Sequence, residues 1–286
     1  MSLPGVLCVG RVYCDVVFSG LRQVPAPGQE VYARHLSMHA GGGAAISASY
    51  FAFLGVPTEL CAKLPSPPFE QLVRDELGVG VGLDYCVSES RDEPQITVVM
   101  TGDMDRSFVT RRVGSALPTD YVALIENAID AGRVEHLHIG ELASLLEYPQ
   151  LVSLAQSANW SVSLDCAWDI AAMSSPVAAE LIASVDVFLP NQAEHDKLRQ
   201  LGLPERCAPL TVVKRGEGGA TALIDGGSTS VAANAAKVVD ATGAGDAFDA
   251  GFISAWLQRM SIGDCLMAGN QCGADAVGHL GGIKVI

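Results

Sequence analysis

Asp246 follows two glycines, Gly243 and Gly245, at the head of a segment that carries Phe248, Phe252, Trp256 and Met260 at every fourth position. That spacing predicts a helix starting at the glycines, and the β-branched pair Val238-Val239 predicts a strand leading into the turn. Glycines let a backbone approach a ligand closely, and the first helical turn offers unpaired N–H groups and the positive end of the dipole. Such a turn suits an anion, for example a phosphate. A carboxylate gains nothing electrostatically beside a phosphate. Its use there is to take a proton from a hydroxyl that attacks phosphorus. Read alone, these residues are equally an ordinary helix start, where the macrodipole favours an acid.

Other residues of this kind lie along the chain. Gly41-Gly42-Gly43 opens an Ala-rich helix that closes at Gly55, where small residues also permit close packing. Asp15 is one acid in the apolar extended stretch from Val12 to Phe18. Asn191 and Glu194 have the spacing of a capping box for a helix through Leu201. Leu210 to Lys214, the turn containing Gly216 and Gly219, and Ala222-Leu223-Ile224 read as a β-hairpin. His136 and His138 share one face of a strand, but no nearby cysteine or carboxylate completes a metal site. Asp165 ends another strand, where ligands gather in open α/β sheets.

The elements that must position these residues alternate between strand and helix patterns along the whole chain, which predicts an α/β fold with a mainly parallel sheet. A chain of 286 residues, 49% hydrophobic and 17% charged, buries a substantial core and is not disordered. A formal charge of −14 and a pI near 4.7 argue against nucleic acid or an anionic membrane as partner. The eight cysteines form no Cys-x-x-Cys pair and lie mostly in apolar runs, as expected of buried free thiols. No signal peptide or membrane span is read, and the expected compartment is the cytoplasm. There is no Gly-Lys for a Walker A loop, no third glycine for a dinucleotide fingerprint, no Gly-x-Ser-x-Gly and no His-Glu-x-x-His.

Residues Val239 to Phe248 resemble the C-terminal signature of the ribokinase-like (PfkB) carbohydrate kinases, D-T-x-G-A-G-D-x-F, departing from it at Ala241. The resemblance extends over almost the full length, with Pro25 to Val31 similar to the P-G-E segment and Asn191 to Glu194 to N-x-x-E. The implied fold is a ribokinase-like three-layer sandwich, one domain over 1–286, with a mainly parallel central sheet and a small β-sheet lid from roughly 11–38 and 86–113. In the lid hairpin, Arg106 takes the turn-to-strand position. Arg111 and Arg112 read as solvated.

The resemblance also implies roles. Asp246 is the base, and the backbone of Gly243, Ala244 and Gly245 is the anion hole. Asp15, Gly41, Gly42 and Gly43 hold the substrate together with position 46, where Ile46 replaces the family's Asn and favours a more apolar substrate face. Gly43 stands where ribokinases carry Lys. Asn191, Lys214, Gly216, Gly219 and Asn270 lie along the nucleotide, with Lys214 facing phosphate. Glu194 acts on Mg²⁺ through water, and carbonyls of Asp240, Thr242, Ala276 and Gly281 align with a monovalent-cation site that takes K⁺. The expected activity is ATP-dependent phosphorylation of a hydroxyl on a sugar or sugar-like substrate. A nucleoside kinase and a non-catalytic sugar- or nucleotide-sensing relative stay open as alternatives, as does a homodimer formed through the lid.

Overall fold

The computed structural model describes residues 3–88, 93–102 and 107–284. Thirteen strands form two sheets among them. In chain order they are β1 (Gly5–Val9), β2 (Tyr13–Leu21), β3 (His35–Gly41), β4 (Thr58–Lys63), β5 (Val81–Val87), β6 (Ile96–Gly102), β7 (Ser107–Arg111), β8 (Val134–Ile139), β9 (Ser161–Asp165), β10 (Val187–Leu189), β11 (Leu210–Lys214), β12 (Ala220–Ile224) and β13 (Gly227–Val231). The helices are α1 (Gly43–Phe53), α2 (Phe69–Leu77), α3 (Tyr121–Ala131), α4 (Leu142–Glu147), α5 (Gln150–Ser157), α6 (Ile170–Met173), α7 (Ala178–Ala183), α8 (Gln192–Gln200), α9 (Ala244–Leu257) and α10 (Ile262–Ala276).

The large sheet runs β13-β12-β11-β10-β9-β8-β1-β4-β5, parallel from β5 to β11 and closed by the antiparallel pairs β11–β12 and β12–β13. Every residue of β1 is buried. Its Val6 and Cys8 enter the core shared with α1, α9 and α10, while Leu7 and Val9 enter the core shared with α3, α4 and α5. Alternation along a strand thus feeds two apolar layers, and the sheet is covered on both faces. All eight cysteines are buried and free, as their apolar neighbours predict. Among the described residues, no helix is long and apolar enough to cross a membrane.

The small sheet runs β3-β2-β6-β7, with β2–β3 and β6–β7 antiparallel and β2–β6 parallel. Residues paired across it share a face. One face carries the row His39, Asp15, Thr97, Thr110, one from each strand. The other carries Val16, Phe18, Leu36, Met38, Val98, Met100 and Val109. The expected hairpin is present as β6 and β7, while Arg106 and the rest of 103–106 lie outside the described residues. Arg11 bolts this sheet to the body. Its buried guanidinium donates to Gln95 Oε1, to the carbonyls of Val113 and Gly114, and to Glu147 Oε2 at 2.9 Å.

Two expectations are corrected. Val238 and Val239 form no strand; both are exposed, and the Val239 amide donates to the carbonyl of Val277 behind α10 instead of to a sheet neighbour. The pair is held by the end of α10 instead, where the amides of Val239 and Asp240 both donate to the carbonyl of Val277. Residue 86 belongs to β5 of the large sheet, so the second piece of the small sheet starts only at Ile96. Helix α2 buries Val73 and Leu77 on one face of an otherwise polar segment and β5 carries Val81, Leu83, Tyr85 and Val87 at alternate positions, patterns that go unread in the sequence reading.

Candidate active site

The start of α9 is set by Gly243, which has φ 74° as its N-cap. This left-handed conformation is one that only glycine takes at low cost. Space requires glycine as well, since a Cβ here would lie 2.9 Å from both Gly282 Cα and Ile46 Cγ2. The preceding turn is held by Asp240, whose Oδ1 accepts from the Thr242 amide at 2.9 Å and hydroxyl at 2.7 Å, while Oδ2 accepts from the Gly281 amide at 3.1 Å. One buried carboxylate therefore joins the turn before α9 to the loop after α10. Asp240, Thr242 and Gly281 come together in this way, and Ala276 ends α10 nearby with its carbonyl facing the His279 amide at 3.5 Å.

Ile46 is buried and packs against Gly243 and Gly282, supporting the α9 turn from below. The sequence reading places it on a substrate face; in the structure its side chain fills the core under the glycine loop. Gly42 caps α1 at φ 96°. A Cβ on Gly43 would lie 2.8 Å from Asp246 Oδ1, and a Cβ on Gly41 would run into the Asp15 carboxylate. Gly41 at the end of β3 and Gly43 at the start of α1 thus bring two acids close to one stretch of backbone, and the N-termini of α1 and α9 flank Asp246. Two helix starts lie at this point, and the positive end of each helix dipole gives the local field the sign an anion needs.

Asp246 is half-buried, and its carboxyl is raised above the ordinary range by burial first and then by Asp165 and Glu194, with Lys214 pulling the other way. Lys214 lies behind it, its Nζ 3.4 Å from where a Gly245 Cβ would be. The resemblance has Lys214 facing phosphate. In the structure the buried ammonium donates to Asp165 Oδ1 at 2.9 Å and to both oxygens of Asp249 at 3.0 and 2.9 Å. A cation taken out of water must find anions close by, and these two carboxylates are the nearest. Burial alone would lower Lys214, but Asp165, Asp249 and Glu194 more than offset it and raise it.

Asp249 is fully buried and raised well above the usual range, chiefly by burial. Its importance goes unseen in the sequence reading, although an acid inside the apolar run of α9 is a usable signal. Asp165, left without a role by the sequence, is the other counter-ion. Glu194 is raised by burial and by Asp165, and its Oε2 accepts from the Asn191 amide while Asn191 Oδ1 accepts from the Glu194 amide, both bonds of the expected capping box. Four carboxylates, Asp165, Glu194, Asp246 and Asp249, therefore surround one ammonium.

The His-x-His pair is no metal site but part of a hydrogen-bond chain. Ser47 Oγ donates to the Asp246 carbonyl at 3.3 Å, so it must accept from His138 Nε2 at 3.1 Å. His138 Nδ1 then accepts from Ser163 Oγ at 2.9 Å, His136 Nε2 donates to Ser163 at 2.7 Å, and His136 Nδ1 accepts from Ser161 at 2.7 Å. Each neutral imidazole supplies one donor and one acceptor, so this direction satisfies every atom. Burial lowers both histidines, first by desolvation, in keeping with neutral rings.

On the opposite flank, Gly216 has φ 54° and Gly219 φ 84°, and a Cβ on Gly219 would meet the Val231 carbonyl. The β11–β12 connection is the hairpin turn that the sequence predicts. Asn270 is buried and donates to the carbonyls of Val231 and Ala232 at 3.3 and 3.0 Å, fixing the loop after β13. Among the described residues, no group of three or more His, Cys, Asp or Glu is placed to hold a metal by itself. The surplus of carboxylates over Lys214 nevertheless fits a Mg²⁺ ion that arrives with phosphates and keeps most of its water.

The family described as pfkB family carbohydrate kinase matches residues 4–286. The chain is 27% identical over 293 residues to a ribokinase of Arabidopsis thaliana, covering 92% of this chain and 73% of the relative. It is 24% identical over 278 residues to a nucleoside kinase of Methanocaldococcus jannaschii, covering 94% and 88%. The solved Arabidopsis thaliana ribokinase complexed with ribose and ATP superposes with a TM-score of 0.80 at 24% identity over 100% of this chain and 96% of that one. An E. coli protein described as ribokinase II, in complex with ATP and Mg²⁺, gives 0.81 at 20% identity over 98% and 94%. These structures share the ribokinase fold, a large mainly parallel sheet with a separate small one.

Proposed function

The chain belongs to the pfkB family of carbohydrate kinases, and on that premise we propose that it transfers the γ-phosphoryl group of ATP to a hydroxyl of a sugar or nucleoside, with Asp246 as general base. The carrying observation is the placement of Asp246 between the N-termini of α1 and α9, its Oδ1 against Gly43 and two glycines, Gly243 and Gly245, in the turn before it. Asp15, Gly41, Gly42 and Gly43 hold the acceptor so that one hydroxyl points at Asp246, with Ile46 acting through the loop it supports. The raised carboxyl is a better base near neutral pH than an ordinary aspartate, since proton transfer is most effective when the pKa lies near the working pH. The amides of Gly243, Ala244 and Gly245 receive the charge on the moving group.

Asn191, Gly216, Gly219 and Asn270 line the nucleotide side, the last by shaping the loop after β13. Lys214 contributes as a fixed positive charge under the glycine turn. Mg²⁺ arriving with ATP would neutralise phosphate charge, and Glu194 is the residue that would hold it through water. The turn stapled by Asp240, with Thr242, Ala276 and Gly281, is the place for K⁺. The small sheet acts as the lid, and its apolar outer face pairs two copies.

ADP formation by the purified protein with Mg²⁺-ATP and K⁺ over a panel of sugars and nucleosides tests this. Acceptor-dependent turnover that falls by about 10²–10⁴ in Asp246→Asn, the range of general base catalysis, with ATP binding kept, supports it. Sugars or nucleosides that bind without turnover would instead favour a sensing protein.

A further inference from the structure

His39 stands directly opposite Asp15 in the β2–β3 register, on the face of the small sheet that also carries Thr97 and Thr110. Thr97 donates to Asp15, and Thr97 and Thr110 are 3.2 Å apart through their hydroxyls. The row is therefore a polar strip beside the glycines that open α1, with Asp15 over Gly41 in its middle. At its end, the imidazole is clamped from two sides. Glu76 of α2 takes Nδ1 at 3.1 Å with one oxygen and the Ala40 amide at 2.6 Å with the other. Gly281 presses its backbone on the ring, since a Cβ there would lie 3.1 Å from both Cγ and Cδ2.

Nε2 of the clamped ring is buried and has no hydrogen-bond partner among the described residues. A buried polar atom left without a partner costs free energy, so an orphan on the strand position opposite Asp15 points to a ligand group there. Because Nδ1 gives its proton to Glu76, Nε2 accepts in the neutral ring and donates in the charged one. A hydroxyl answers both states, because it is donor and acceptor at once. A phosphate or carboxylate answers only the charged ring, and it would also face Asp15, Glu76 and Asp240, the charged groups besides His39 itself that act most strongly here. Three acids against one imidazole repel an anionic acceptor at this end of the site.

Resting on the kinase reading above, we propose that His39, held by Glu76, is a specificity-determining residue whose Nε2 binds an acceptor hydroxyl next to those held by Asp15. The acid-rich strip confines the acceptor to neutral polyhydroxyl compounds, free sugars, polyols or nucleosides, and rejects sugar acids and sugar phosphates.

The test compares neutral and anionic acceptors of matched skeleton, ribose with ribose 1-phosphate and glucitol with gluconate. Each is measured in turnover and, separately, by calorimetric binding without nucleotide, for the wild type, His39→Ala and His39→Gln. The expected result is a neutral acceptor bound and turned over with the charged partner weaker by about tenfold or more. In His39→Ala, acceptor KM and Kd rise by about tenfold, the size of one lost hydrogen bond, while ATP KM and the melting temperature stay close to wild type. His39→Gln, which keeps an amide hydrogen-bonding group, recovers part of the loss.

Equal use of the anionic partner overturns the proposal, and so does an unchanged acceptor Kd in His39→Ala. Absence of turnover with any acceptor brings down the kinase reading, while calorimetric binding still decides the His39 contact. If no acceptor binds at all, the proposal falls too.

Discussion

At the scale of single residues, Asp246 and Lys214 divide the work of one charge cluster. A base acts only when ionised, so activity is present above its pKa and lost as pH falls through it. Since burial raises Asp246, the acid limb of kcat is expected well above pH ~4, where an unperturbed aspartate titrates; a pH–rate profile with its limb at pH ~4 would count against this role. Lys214 is the one cation among Asp165, Glu194, Asp246 and Asp249. Removing one partner of a buried ion pair costs about 3–5 kcal/mol, and Lys214→Met is expected to lose that much in urea unfolding at neutral pH. Without the ammonium, which pulls them down, the folded-state pKa values of Glu194, Asp246 and Asp249 rise further above their unfolded values. Stability that depends on their protonation is full below the unfolded pKa and lost as pH rises through the folded one. The deficit of Lys214→Met should therefore shrink on acidification, and a deficit independent of pH would contradict the assignment.

At the scale of elements, the site is made by two helix starts packed against each other, and the packing runs through glycines. Gly243→Ala must carry a Cβ at φ 74° within 2.9 Å of Gly282 Cα and Ile46 Cγ2. A strained left-handed residue costs about 1–3 kcal/mol, and relief would shift the amides of the α9 turn. We expect a lower melting temperature and a kcat reduced by about tenfold or more, with acceptor KM changed less. An unaltered kcat would show that the α9 amides are not the anion hole. The hydrogen-bond chain from Ser161 to the Asp246 carbonyl ties the same turn to β8 and β9. Much of α8 and α9 is legible in the sequence because capping residues and apolar periodicity act over a few residues, and α2 and β5 carry such local patterns too, Val73 and Leu77 on one helix face and Val81, Leu83, Tyr85 and Val87 at alternate strand positions.

At the scale of the whole molecule, the small sheet leaves Leu36, Met38 and Val109 exposed on the face turned away from His39 and Asp15. A contiguous apolar face of this kind favours a partner surface. Light scattering coupled to gel filtration is expected to give a dimer mass that Leu36→Lys or Val109→Lys converts to a monomer. A wild-type monomer across the accessible concentrations would rule out the pairing.

The chain's own order of residues determined the fold class and the start of α9, the capping box at Asn191 and the hairpin after Lys214, because each follows from contacts within a dozen positions. It also singled out Asp246 through a glycine pattern whose ten residues resemble the family's C-terminal signature. Only the tertiary structure decided that Lys214 turns inward to Asp165 and Asp249, that Ile46 underpins Gly243, and that His39 faces Asp15 with one ring nitrogen unpaired. These facts depend on which distant segments meet and on how much water is left between them. The energy of a buried charge or an orphaned nitrogen is set by that neighbourhood, which no local stretch encodes.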